Sequence, residues 1–183
     1  MAGRCLITPL VISLCMVSMA ACSAWPFSSG PKDIRVTSVT TVDFKDQTQL
    51  EWVSLKPRPS KPITRIAFTT STDLLALSQR KDYNVTFTLG PCSPKGVTDS
   101  GIGYGSVFWN TLRIAPDAKA TTDYQAAIAK GPPFTYQVYA SETPPGAAPG
   151  PMCFTLAGGS MIGGKLRSNV ARLPSTTAIN GAH

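Results

Sequence analysis

Histidine is all but missing: the one imidazole is at position 183, the last residue. A Ser-His-Asp triad, a Cys-His pair or a histidine metal site therefore has no imidazole to use inside the fold. No Cys-x-x-Cys spacing occurs, which excludes the usual redox and zinc-ribbon patterns. The longest apolar run, over 6–19, is too short to span a bilayer comfortably, which takes roughly 20 residues, and no internal repeat is present. Cations are plentiful, 17 Lys and Arg against 10 Asp and Glu for a net charge of +7, yet they form no nucleic-acid-type run. Such a dispersed surplus predicts a soluble surface with some attraction for anionic envelope polymers, and no nucleic-acid partner.

Other signatures are incomplete. Gly159 to Lys165 fits a phosphate-loop spacing, but Leu166 stands where a Ser or Thr would hold magnesium. Gly101, Gly103 and Gly105 lack the strand–turn–helix context of a dinucleotide site. Asp43, Asp46 and Glu51 lie near one expected strand end, and Asp99 and Asp117 in loops, without a spacing that pairs two carboxyls for glycoside cleavage. The sequence predicts no catalytic residue, no metal and no cofactor.

What is present begins with a three-part leader. Arg4 supplies the positive start, residues 6–19 form an apolar run broken by Pro9, and Met19-Ala20-Ala21-Cys22 closes it. That order of cation, apolar stretch and small residues is the layout of an export signal. The last four residues resemble the lipobox of bacterial lipoprotein precursors, a resemblance confined to residues 1–22. It implies cleavage before Cys22, a diacylglycerol thioether on its sulfur and acylation of the new amino group. Ser23 is similar to the outer-membrane sorting pattern of Gram-negative bacteria. The expected location is the envelope, lipid-anchored, and more than one acyl chain anchors durably.

Five cysteines then resolve themselves. Cys5 and Cys15 leave with the leader, and Cys22 takes the lipid. Cys92 and Cys153 remain as a single pair in an oxidising compartment and are expected to form a disulfide.

Residues 22–32 carry Gly, Pro and Ser and read as a flexible tether, with Trp25 and Phe27 suited to a membrane interface. Strands are expected over 34–44, 50–55, 63–70, 83–89, 106–114, 134–140 and 152–156. In the clearest, Tyr83, Val85, Phe87 and Leu89 alternate with Asn84, Thr86 and Thr88, the period of a half-buried strand. Helices are expected over 72–80 and 121–130, the second stopped by Gly131. The fold class is mainly β: one antiparallel sandwich or barrel-like domain over 33–170, with one or two short helices, one disulfide and a loose tail over 171–183.

Two stretches suggest partner contacts. Lys56-Pro57-Arg58-Pro59-Ser60-Lys61-Pro62 is a stiff loop that projects Lys56, Arg58 and Lys61. The glycine-rich loop over 101–105 presents Tyr104. The expected function is a non-enzymatic structural, adaptor or assembly component that docks another envelope protein, with an anionic cell-wall polymer as a further partner. The alternative is a binding module for a small ligand, glycan or lipid.

Overall fold

A computed structural model describes residues 30–43, 62–98, 103–140, 150–160 and 164–174. Among these residues, ten strands form one antiparallel sheet that curls into a nearly closed barrel. In chain order they are β1 Arg35–Val42, β2 Ile63–Thr70, β3 Asn84–Ser93, β4 Gly96–Val97, β5 Gly103–Trp109, β6 Leu112–Arg113, β7 Phe134–Ala140, β8 Met152–Gly159, β9 Lys165–Arg167 and β10 Ala171–Arg172. Around the barrel the order is β1-β2-β7-β5-β3-β8-β10, with β4, β6 and β9 as short additions to β3, β5 and β8. Two helices, α1 Leu74–Lys81 and α2 Thr122–Ala129, lie on the chain between β2 and β3 and between β6 and β7.

The alternation seen in the sequence fills the barrel. Phe68, Phe87, Tyr136 and Phe154, from β2, β3, β7 and β8, are each at most 1% exposed. Their rings run in series: Phe87 to Phe154 at 6.1 Å, Phe154 to Phe68 at 5.1 Å, Phe68 to Tyr136 at 5.8 Å. Ile66, Val85, Leu89, Val107, Val138 and Leu156 pack around them. On the outer face of the β2–β7–β5 wall, Ile63, Tyr139 and Phe108 form a second buried cluster, with Val42 against it.

Helix ends follow local chemistry. The Asp73 carboxylate caps α1 by accepting from the Ala76 N–H at 2.9 Å, and Arg80 and Lys81 occupy the last turn, where cations suit the carbonyl end. The chain leaves α1 through Asp82 at φ 53°. Thr121 caps α2 by accepting from the Tyr124 N–H, and Gly131 at φ 84° follows the helix.

The barrel closes through a side chain. Between β1 and β10, Asn169 accepts from the Ile34 N–H at 2.8 Å and donates to the Ile34 carbonyl at 3.0 Å, the two bonds a neighbouring strand would make. The Asn169 N–H adds a bond to the Pro31 carbonyl, and Lys32 Nζ donates to the Arg167 carbonyl. Asn169→Ala removes both partners from Ile34, which is 2% exposed, and should cost about 1–3 kcal/mol in urea unfolding. Asn169→Asp keeps an acceptor but no donor, so the Ile34 carbonyl stays unmatched and stability should again fall. An unchanged urea midpoint for both variants would remove Asn169 as the closure.

Several expected boundaries move. The tether expected through residue 32 ends sooner, because Pro31 is buried and a Cβ on Gly30 would collide with the Arg167 backbone. At the other end, residues 171–173 are not a loose tail. Ala171 and Arg172 pair with Phe154 and Cys153, and the Leu173 N–H donates to the Met152 carbonyl. The strand expected over 106–114 is split by a turn in which Asn110 takes φ 49°, and Gly103–Gly105 belong to β5 rather than to a loop. The strand expected over 50–55 lies outside the described residues. Cys92 and Cys153 are bonded, with Cα atoms 4.9 Å apart and a sequence separation of 61, tying the end of β3 to β8.

Candidate functional site

Two hollows on the described surface flank the segment that leads into α2. The larger, about 510 Å³, is lined by Phe108, Leu112 and Ala118 as its apolar wall and by Thr111, Arg113, Asp117 and Thr121 as its polar rim. Arg113 and Asp117 face each other across 3.8 Å, both well exposed, so their attraction is heavily screened. The smaller hollow, about 310 Å³, lies between the helices, over Leu75, Ala76, Tyr124 and Ile128, with Asp73 and Gln79 at its margin.

Polar bonds hold the two helices in place beneath the smaller hollow. Tyr124 donates its hydroxyl to Asp73 Oδ1 at 2.5 Å, and the Tyr136 hydroxyl lies 3.3 Å from that of Tyr124. Tyr136 also accepts from the Leu74 N–H at 3.0 Å, and Gln79 donates to the Ala118 carbonyl at 2.7 Å. Trp109 meets Tyr124 edge-on at 5.2 Å. Asp73 thus caps α1 and anchors α2 with one carboxylate, so the walls of the hollow are fixed before anything enters.

Burial raises the pKa of Tyr124, and its bond to Asp73 adds to the shift. Burial likewise pushes Tyr136 up to about 12. A phenol ionises near pH 10 in the unfolded chain, so only the unfolded state releases these protons as pH rises above that. The stability that these two phenols contribute should therefore be constant below pH 10 and fall above it, the Tyr136 share levelling off near pH 12. Alkaline titration followed by tyrosinate absorbance and circular dichroism checks this; in Tyr136→Phe the slope of that loss should be shallower. Ionisation of both phenols near pH 10 in the folded chain would contradict it. At the acid end, burial is the largest single influence on Asp33 and raises its pKa, but the bonds from Ser71 and Thr70 together outweigh it and leave its carboxyl below the ordinary value.

The sequence-derived contact residues are not assembled by the described structure. Cys22 and the cationic loop residues Lys56, Arg58 and Lys61 lie outside the described residues. Tyr104 has its backbone in β5 opposite Thr88, and its side chain is outside the described set. Among the described residues no group of three or more His, Cys, Asp or Glu is placed to hold a metal. No described helix is long and apolar enough to cross a membrane. Sequence reasoning missed the Asp73–Tyr124–Tyr136 cluster, whose members come from three separate elements; the available signal was Asp73 at a helix start. Comparison with protein-family models, with curated proteins and with solved structures gave no match.

Proposed function

We propose that the chain is a lipid-anchored envelope protein that works by docking a partner protein on the outside of a filled barrel, without turnover. The observation that supports this reading is the four-ring series through the barrel interior. Side chains occupy the space in which a ligand-carrying barrel keeps its ligand. The hollows lie outside, along α1, α2 and the turn before α2, on a rigid frame suited to receiving projecting side chains of a partner. The lipobox-like Met19-Ala20-Ala21-Cys22 supports the anchor.

Two measurements test the proposal. Cells fed a labelled fatty acid should place label on the parent chain and none on Cys22→Ala; an unlabelled parent overturns the anchor. A photo-crosslinking side chain at Ala118 or Gln125 should give one discrete protein adduct in intact cells, and its absence at both positions overturns the docking reading. The 510 Å³ hollow favours a second reading, a small-ligand module, because a cavity of that size with an apolar wall and a few polar groups suits a small molecule. A bound small molecule released from the purified protein, with no crosslink, would select it.

A further inference from the structure

Strand register gathers cations that are far apart in sequence. Along β8, Arg172 is opposite Cys153, Arg167 opposite Ala157 and Lys165 opposite Gly159. Cys153, Ala157 and Gly159 are all odd positions, whereas Phe154 and Leu156 turn into the core, so the three cations project from the outer face. At about 3.4 Å per residue they span roughly 20 Å, and a Debye length of about 10 Å lets neighbours act together on one surface. All three are exposed. No Asp or Glu occurs in β3, β4, β8, β9 or β10, and the ion pair found among the described residues is elsewhere, at Arg113–Asp117.

An apolar side chain sits within this face. Val170, 42% exposed, is the one large hydrophobic residue that stands in solvent among the described residues. A Cβ built on Gly96 would be 3.4 Å from Val170 Cγ2 and 3.7 Å from Arg167 Nη2, so the turn carrying exposed Lys95 borders the same patch. The chain also enters the fold here: Gly30 packs on the Arg167 backbone, and Pro31 accepts from Asn169. Only seven residues separate Cys22 from Gly30.

We infer that the β9–β10 face, with Lys165, Arg167 and Arg172 around Val170, docks on the anionic lipid headgroups of the bilayer that holds the anchor. The inference deepens the lipid-anchor reading and rests on it for the nearness of the bilayer. Phosphate oxygens meet the guanidinium and ammonium groups, and Val170 enters the interfacial layer between them. Such a face supplies the electrostatic half of a two-part membrane signal. It also fixes the domain's orientation on the membrane.

The chain from Ser23 onward retains every described element and carries no lipid, so vesicle binding by it reports the face alone. It should bind phosphatidylglycerol–phosphatidylethanolamine vesicles and not phosphatidylcholine vesicles, and added salt should release it. Lys165→Ser, Arg167→Ser and Arg172→Ser together should weaken binding on the order of a hundredfold. Val170→Ser should weaken it about threefold. Lys119→Ser and Lys130→Ser together remove two exposed charges from the segment around α2 and should change binding by less than about threefold. Equal binding by parent and β9–β10 variant overturns the inference. So does equal binding to phosphatidylcholine, or capture by soluble polyphosphate without vesicle binding. Fatty-acid labelling of Cys22 with failed vesicle binding leaves the anchor and removes the face; the converse removes the anchor and keeps the face.

Discussion

Phe154→Ala should destabilise the domain by about 3–5 kcal/mol in urea unfolding, the largest single-residue effect expected here. Phe154 is fully buried and is the link between Phe68 and Phe87, so its removal empties the centre of a four-ring series rather than one end. The loss has two parts, the transfer of a large apolar group and the cavity that antiparallel strands on both sides cannot collapse to fill. Phe154→Leu keeps much of the volume and should cost less than about half as much. Tyr136→Phe, at the end of the series, leaves the ring and removes only its hydroxyl bonds. A loss below about 1 kcal/mol for Phe154→Ala would mean that the interior repacks freely and is not the specific core described.

Replacing Cys92 and Cys153 together with Ala should cost about 2–4 kcal/mol, and reductant should lower the melting temperature of the parent but not of the variant. The bond joins positions 61 apart in sequence, so its loss frees a long loop in the unfolded chain. Cys153 also sits at a junction: its strand pairs with β3 through Gly90 and with β10 through Arg172. Hydrogen exchange should therefore quicken first in β4 and β10, which have only two residues each, before β3 and the rest of β8 respond. Two free thiols at Cys92 and Cys153 in the non-reduced protein would refute the bond outright.

How far the sequence went depended on segment length. Over 63–70 and 134–140 several alternating positions repeat, and the expected bounds coincide with β2 and β7. The helices also matched to within two residues, because Asp73 and Thr121 cap them as side-chain acceptors. In β4, β9 and β10, two or three residues are too few to show a period. Ala157-Gly158-Gly159 has poor strand propensity, yet β3 on one side and β9 on the other satisfy its backbone. Gly103 and Gly105 suggested a loop. In the structure Gly105 is opposite Phe87, and a Cβ there would be 3.2 Å from the Phe87 ring, so its smallness serves a close approach rather than a turn.

Charge is legible in the sequence only where cations are adjacent. Lys56, Arg58 and Lys61 stand out because they are close in sequence, whereas Lys165, Arg167 and Arg172 look dispersed until register brings them to one face. Lys165-Leu166-Arg167, with buried Leu166 between exposed cations, held the available signal. The hollows beside α2 depend on long-range packing of Phe108, Tyr124 and Leu75, which no local pattern encodes.

The closure by Asn169 sets how the domain bears mechanical load. A pull on the residues before Gly30 does not reach the β1–β2 ladder first. It reaches the Pro31–Asn169 bond, the Lys32–Arg167 bond and the paired Ile34–Asn169 contacts, ahead of the strand itself. These few bonds would open in sequence, like a short zip, while the disulfide and the ring series behind them stay intact. Under such a pull the seam should open at lower force than the barrel wall from β2 to β8, because its few bonds are loaded one after another.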